Sequence, residues 1–277
     1  MCSLGMELTR DDFRRVFKAP RGVLIGLLNL ALVAPLLAFA MAELFALPPE
    51  LALGLVLLGA SPGGMMANML THLSRGDTAL SVSMTAISSI AAVVTVPLFL
   101  ALATSRFGAS VGDVSMLGVV ARVLAITIVP VAAGMELRRR RPQLVARIHA
   151  RVRSASLLLF AVVVLGAIAS EHDTVTEHIA EVAGAALALN VAAMAISFGV
   201  AKLARLDDRQ STAISLELGI HNAALAIAVG ASLAPEVTIP AAVYSSFMLF
   251  TGGAFAWTMS RRNRGSAEVV RPRPAET

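Results

Sequence analysis

The chain has 277 residues, of which 57% are hydrophobic and 15% charged, with a net charge of +5 and one cysteine, Cys2. Soluble domains carry about a quarter charged residues, so the composition excludes an ordinary soluble enzyme and fits a chain embedded in lipid. The arginines fall between apolar runs rather than on one basic face, which argues against nucleic acid as a partner, and a lone cysteine excludes an intramolecular disulfide or a thiolate metal centre.

The opening residues Met1 to Leu8 lack the basic start and long apolar run of a signal peptide and read as the end of a helix, so residues 1–20 are expected to hold a helix end and a polar loop. A membrane-crossing helix needs about 20 apolar residues. Eight such segments follow, at 22–45, 51–74, 77–104, 114–136, 154–170, 177–204, 207–232 and 236–260. The connections alternate in charge. One set holds Arg10, Arg14, Arg15, Lys18 and Arg21, then Arg75, then Arg138 to Arg153, then Lys202, Arg205 and Arg209, then the tail from Arg261. The opposite set contains only Arg106. Lysine and arginine mark the cytoplasmic side, so both termini are expected inside a cell membrane, the inner membrane of a bacterium. Residues 261–277 read as a cytoplasmic tail, disordered from 265 onward because they carry no burial pattern.

Three spans carry polar groups that lipid does not tolerate. The second is interrupted by Ser61-Pro62-Gly63-Gly64 before Met65 to Thr71. Proline removes a backbone donor and paired glycines favour unwinding, so the helix is expected to break near mid-membrane; a kink used only for packing is the alternative. The third span places Ser81, Thr85 and Ser88 at i, i+4 and i+7, one hydroxyl stripe on an apolar helix. Such a stripe serves helix packing or completes an oxygen shell for a hard cation. The seventh carries Glu217-Leu218-Gly219-Ile220-His221-Asn222. An intramembrane carboxylate costs roughly 2.5–3.5 kcal/mol and marks an ion or proton path, against the alternative of a buried structural glutamate.

Two interrupted spans in corresponding parts of two halves point to a secondary-transporter site. Half-helix N-termini suit a carboxylate, and unwound carbonyls with Glu217 suit a cation. Other polar residues carry less. Arg122 reads as snorkelling to the interface. Glu171, His172, Asp173, Glu177 and His178 are metal-ligand types, but their spacing fits no standard motif.

The blocks Gly59 to Asn68, Arg75 to Thr85 and Glu217 to Asn222 together resemble the bile acid:sodium symporter family. The resemblance implies an all-α polytopic fold of ten spans in two inverted repeats, with a core domain of two crossed broken helices beside a panel domain. On that pattern residues 21–104 and 176–260 form the core, and 112–170 the panel helices. The segment from Met1 to Phe17 corresponds to the end of the family's second span, so the first span and most of the second are absent from this sequence.

The resemblance further implies sodium as the only metal, co-transported with a small organic anion, bile-acid-like or a short carboxylate such as pantoate or pyruvate. The family's first sodium site falls on Asn68, Ser81, Thr85 and Glu217, with Ala67 where a serine is common. The second falls on Glu217, the backbone of Leu218 and Ile220, and His221, which stands in place of a frequent glutamine. Leu30 replaces another glutamine there, beside Asn29. Substrate contacts fall on Gly63, Gly64, Met65, Asn68 and Asn222. The expected protein is a monomeric symporter in the bilayer, not an enzyme. The alternatives are a proton-coupled or uncoupled permease on the same fold, or a shortened binding protein that does not transport.

Overall fold

The computed structural model describes residues 1–9, 12–14, 20–109 and 116–269. Arg10, Arg15 and Lys18, used above to assign sides, lie outside the described residues, as do 110–115 and 270–277. The helices are α1 (Cys2–Glu7), α2 (Pro20–Leu44), α3 (Pro49–Gly59), α4 (Met65–Leu73), α5 (Thr78–Phe107), α6 (Leu117–Arg140), α7 (Pro142–Ser170), α8 (Thr176–Leu203), α9 (Asp208–Gly219), α10 (Ala223–Gly230) and α11 (Ile239–Val269). A 3₁₀ turn, Pro235–Thr238, leads into α11. No strand occurs among the described residues, and six helices are long and apolar enough to cross a membrane. The fold is all-α and polytopic, as expected.

The segments expected as the second and seventh spans are each a pair of short helices, α3 with α4 and α9 with α10. Two expectations need correction. The segment placed at 154–170 begins at Pro142, because arginine is a good helix former and Arg147 and Arg151 stay exposed on the extended helix. The polar tail placed from 261 is helical through Val269.

Asp77 caps α5 by accepting from the Leu80 amide at 3.0 Å, and Asp207 caps α9 by accepting from Gln210 at 2.7 Å. Each cap follows a turn whose arginine, Arg75 or Arg205, has φ near +58° or +57°. The two turns are laced together: the Asp77 amide donates to the Arg209 carbonyl at 3.0 Å, and Arg209 Nε donates to the Arg75 carbonyl at 3.1 Å. Asn263 on α11 adds a bond to the Ser74 carbonyl at 2.9 Å, so one end of both broken spans is pinned.

Apolar periodicity decides what faces lipid. Helix α2 exposes Leu24, Leu28, Leu32 and Leu36 and buries Val23, Leu30, Ala34 and Ala38, a four-residue stripe facing outward. Every residue of α3 from Leu51 to Gly59 is buried, which places it at the centre of the bundle. Helix α1 packs closely on α6: a Cβ at Gly134 would lie 2.3 Å from the Cys2 carbonyl oxygen, and one at Gly5 2.2 Å from that of Val131. Substitution Gly134→Val should therefore cost about 1–3 kcal/mol, read as a melting temperature lowered by several degrees in detergent; unchanged melting would rule out this close crossing.

Candidate cation and anion site at the helix crossing

The two breaks meet. The Gly64 amide donates to the Ile220 carbonyl at 3.0 Å and the Asn222 amide donates to the Pro62 carbonyl at 2.9 Å, flanking an antiparallel bridge between Gly63 and His221. Each unwound segment thus satisfies the other's backbone where water is absent, which goes beyond a kink used for packing. The end of α9 is held as well: the Gly219 carbonyl accepts from Asn190 Nδ2 at 2.7 Å and from the Tyr244 hydroxyl at 2.8 Å. Sequence reasoning missed both donors. Their signals were an asparagine inside an apolar span and the only tyrosine of the chain.

Beneath the crossing, α4, α5 and α9 bring Asn68, Ser81, Thr85 and Glu217 into one buried cluster. Ser81 Oγ lies 2.7 Å from Asn68 Oδ1 and 2.9 Å from Glu217 Oε2; Thr85 Oγ1 lies 3.1 Å from Asn68 Oδ1 and 2.5 Å from Glu217 Oε1. The Ser81 and Thr85 hydroxyls can each give their proton to Glu217, and Asn68, whose Nδ2 has no partner among the described residues, completes the ring of polar atoms. Carboxylate, amide and hydroxyl oxygens converging on one buried point suit a hard cation. The chemistry of the donor set therefore fits sodium. Thr71 was not anticipated; its Oγ1 lies 3.4 Å from Ser81 Oγ. Ser88, on the expected stripe, bonds only the Thr85 carbonyl.

The residues expected at a second cation position are less converged. Leu218 and His221 are buried, but the Ile220 carbonyl is engaged by Gly64, and His221 Nδ1 lies 3.2 Å from the Ser61 carbonyl with Nε2 unpartnered. Leu30 borders a different cavity with Ser61, Pro62 and Ser88. Asn29 donates to the Ile25 carbonyl at 2.7 Å and makes no bond to Glu217.

On another side of the crossing, an open-sided cleft of about 640 Å³ is lined by Gly64, Met65, Ser156, Phe160, His221 and Asn222 among others. The N-termini of α4 and α10 open onto it, and Asn222 caps α10 by accepting from the Leu225 amide at 3.2 Å. Of the expected substrate residues, Gly64, Met65 and Asn222 border the cleft, whereas Asn68 belongs to the oxygen cluster and Gly63 packs against Glu217. Among the described residues Arg122 reaches only the Ser232 carbonyl, at 3.4 Å. Among the described residues no three His, Cys, Asp or Glu stand together as metal ligands; the side chain of His172 lies outside them.

The sequence profile of the Sodium Bile acid symporter family matches residues 1–178. The chain belongs to this family. Among its relatives, the uncharacterized sodium-dependent transporter YocS of Bacillus subtilis is 29% identical over 264 residues, covering 95% of this chain and 81% of YocS. The probable sodium/metabolite cotransporter BASS2 of Oryza sativa subsp. japonica is 30% identical over 269 residues, covering 96% of this chain and 62% of the relative. The corresponding BASS1 of Arabidopsis thaliana is 30% identical over 258 residues, or 92% and 63%. The chain thus spans less than two thirds of the length of these two plant proteins. Like other members of the symporter family it is a membrane protein and not an enzyme.

Proposed function

We propose that the protein is a sodium-coupled symporter of a small organic anion. The observation that carries this reading is the buried cluster of Asn68, Ser81, Thr85 and Glu217, which gathers carboxylate, amide and hydroxyl oxygens within hydrogen-bonding distance of one another. Sodium binds there as cargo, and the anion binds in the adjoining cleft, with its carboxylate at the N-termini of α4 and α10. The Gly63–His221 crossing couples the two, because Gly63 touches Glu217 and Gly64 borders the cleft. Residues 21–104 and 176–260 act as the core that carries both sites and 112–170 as the panel against which it moves. The arginine-rich ends face the cytoplasm. The relatives' names support sodium coupling, and helix N-termini bordering the cleft suit the carboxylate of a bile-acid-like or short organic anion. A second reading, coupling to a proton, draws on the unpartnered Nε2 of buried His221.

Thermal melting in sodium chloride against potassium chloride at equal ionic strength tests the first reading. A ligand present at 100 times its Kd stabilises the folded state by about 2.7 kcal/mol, so sodium should raise melting by roughly 5–10 °C. Equal melting in both salts would overturn sodium coupling and leave the proton-coupled form.

A further inference from the structure

His221 is buried at the crossing and is one of the residues lining the cleft. Among the described residues its ring makes one polar contact: Nδ1 lies 3.2 Å from the Ser61 carbonyl oxygen. A carbonyl only accepts, so Nδ1 carries the proton and donates. In the neutral ring Nε2 then has a lone pair and no hydrogen. That atom is buried and has no partner among the described residues, and an unpaired buried acceptor is costly.

The hydroxyls beside the ring are already spent. Ser61 Oγ donates to the Leu57 carbonyl at 2.8 Å. Tyr244, whose ring centroid stands 5.9 Å from that of His221, donates to the Gly219 carbonyl at 2.8 Å. Each hydroxyl has a single proton, so neither can serve Nε2. The missing donor has to come from outside the chain, and the cleft is the opening that His221 borders.

The next residue has the opposite need. Asn222 Oδ1 is used in capping α10, 3.2 Å from the Leu225 amide, which leaves Nδ2 with the sulfur of Met1 at 3.5 Å, a weak acceptor. Consecutive lining residues thus hold a spare donor, Asn222 Nδ2, and a spare acceptor, His221 Nε2. A carboxylate can accept from the first and from the helix N-termini. It cannot satisfy the second, because it has no hydrogen to give; a hydroxyl on the neighbouring carbon has one.

We propose that His221 is a specificity-determining residue whose Nε2 accepts from a hydroxyl beside the substrate's carboxylate, so that a 2-hydroxy acid is preferred over the matching 2-oxo acid. The inference rests on the cleft being the organic-anion site, and it adds which class of anion the cleft takes. A 2-oxo group sets a second lone pair against Nε2 and is disfavoured. An acid with neither group leaves Nε2 as unpaired as before. Met65, Met66 and Phe160, which line the same cleft, suit a short alkyl remainder.

Three acids on one skeleton, 2-hydroxyisovalerate, 2-oxoisovalerate and isovalerate, are titrated by thermal shift in sodium and in potassium salts. The wild type should bind the hydroxy acid on the order of tenfold tighter than either of the others. In His221→Asn the amide nitrogen can take the place of Nδ1 and keep the bond to Ser61, while Nε2 is gone; the three acids should then bind alike. In His221→Gln an amide nitrogen, a donor, stands where Nε2 was, and the preference should turn toward the oxo acid. The readout is the ratio among the three acids, so a general change in affinity does not enter it. Equal binding of all three by the wild type would overturn the proposal and leave the cleft as the anion site, whereas no binding of any would overturn both. A wild-type preference for the oxo acid would mean that Nε2 carries a proton and would overturn it too, as would a hydroxy-acid preference that survives in both variants. A preference that depends on His221 in both salts, without any sodium shift, would sustain it while the sodium-coupled reading failed.

Discussion

Substitution Glu217→Gln should abolish the difference between sodium and potassium in thermal melting and stop sodium-dependent uptake in vesicles, while leaving the protein folded. The amide has nearly the shape of the carboxylate and can donate to the oxygens of Ser81 or Thr85, which lie 2.9 Å and 2.5 Å from the carboxyl group. The fold thus loses no packing and no obligatory bond. The cation loses the single formal charge among its proposed ligands, since Asn68, Ser81 and Thr85 contribute only dipoles. Removing one partner of a buried ion pair costs about 3–5 kcal/mol, which lowers sodium affinity by two orders of magnitude or more. At a sodium concentration that saturates the wild type the mutant would then be almost empty. Melting in potassium should be unchanged or raised, because a buried carboxylate without its counter-ion is costly. A Glu217→Gln protein that keeps the full sodium shift would remove Glu217 from the site, and with it the proposed mechanism.

The candidate cation site was more legible in the sequence than the cleft. Proline and paired glycines announce a broken helix by their own chemistry, and a glutamate in an apolar run announces a cost that something must offset. The stripe of Ser81 and Thr85 followed from helical spacing. What spacing does not supply is the third dimension: Ser88 lies on the same stripe but beyond the reach of Glu217, and Thr71 enters only because α4 leans on α5. Asn68 was expected at both positions; it joins the oxygen cluster and is not among the residues lining the cleft. The longest error along the chain, the start of α7, arose from treating arginines as loop residues. In a helix whose first turns project beyond the lipid they are strong helix formers. Asn190 and Tyr244 were passed over because a lone polar residue in an apolar span has no periodic signature. Their role appears only where the Gly219 carbonyl needs donors.

The two adjacent glycines of the first break should respond in opposite ways to the same change. Neither has a positive φ, so backbone conformation does not separate them; their surroundings do. A Cβ on Gly64 would meet nothing closer than 3.4 Å, the His221 carbonyl oxygen, whereas a Cβ on Gly63 would fall 1.9 Å from Glu217 Oε1 and 2.4 Å from its Cδ. The backbone cannot retreat at position 63, because the Pro62 carbonyl and the Gly64 amide on either side are bonded across the crossing at 2.9 Å and 3.0 Å. The carboxyl group must therefore swing away from Ser81 and Thr85. Gly63→Ala should destabilise the protein by about 1–3 kcal/mol and lose the sodium shift as completely as Glu217→Gln does, although every sodium ligand is still present. Gly64→Ala should keep the shift. The two positions should also be coupled: adding Glu217→Ala to Gly63→Ala clears the clash, so the double variant should be more stable than the sum of its parts by about 0.5–3 kcal/mol. A sodium shift retained in Gly63→Ala would mean that the carboxylate binds from a rotamer other than the one pressed against the crossing. In that case the link between the crossed backbones and the cation site would have to be given up.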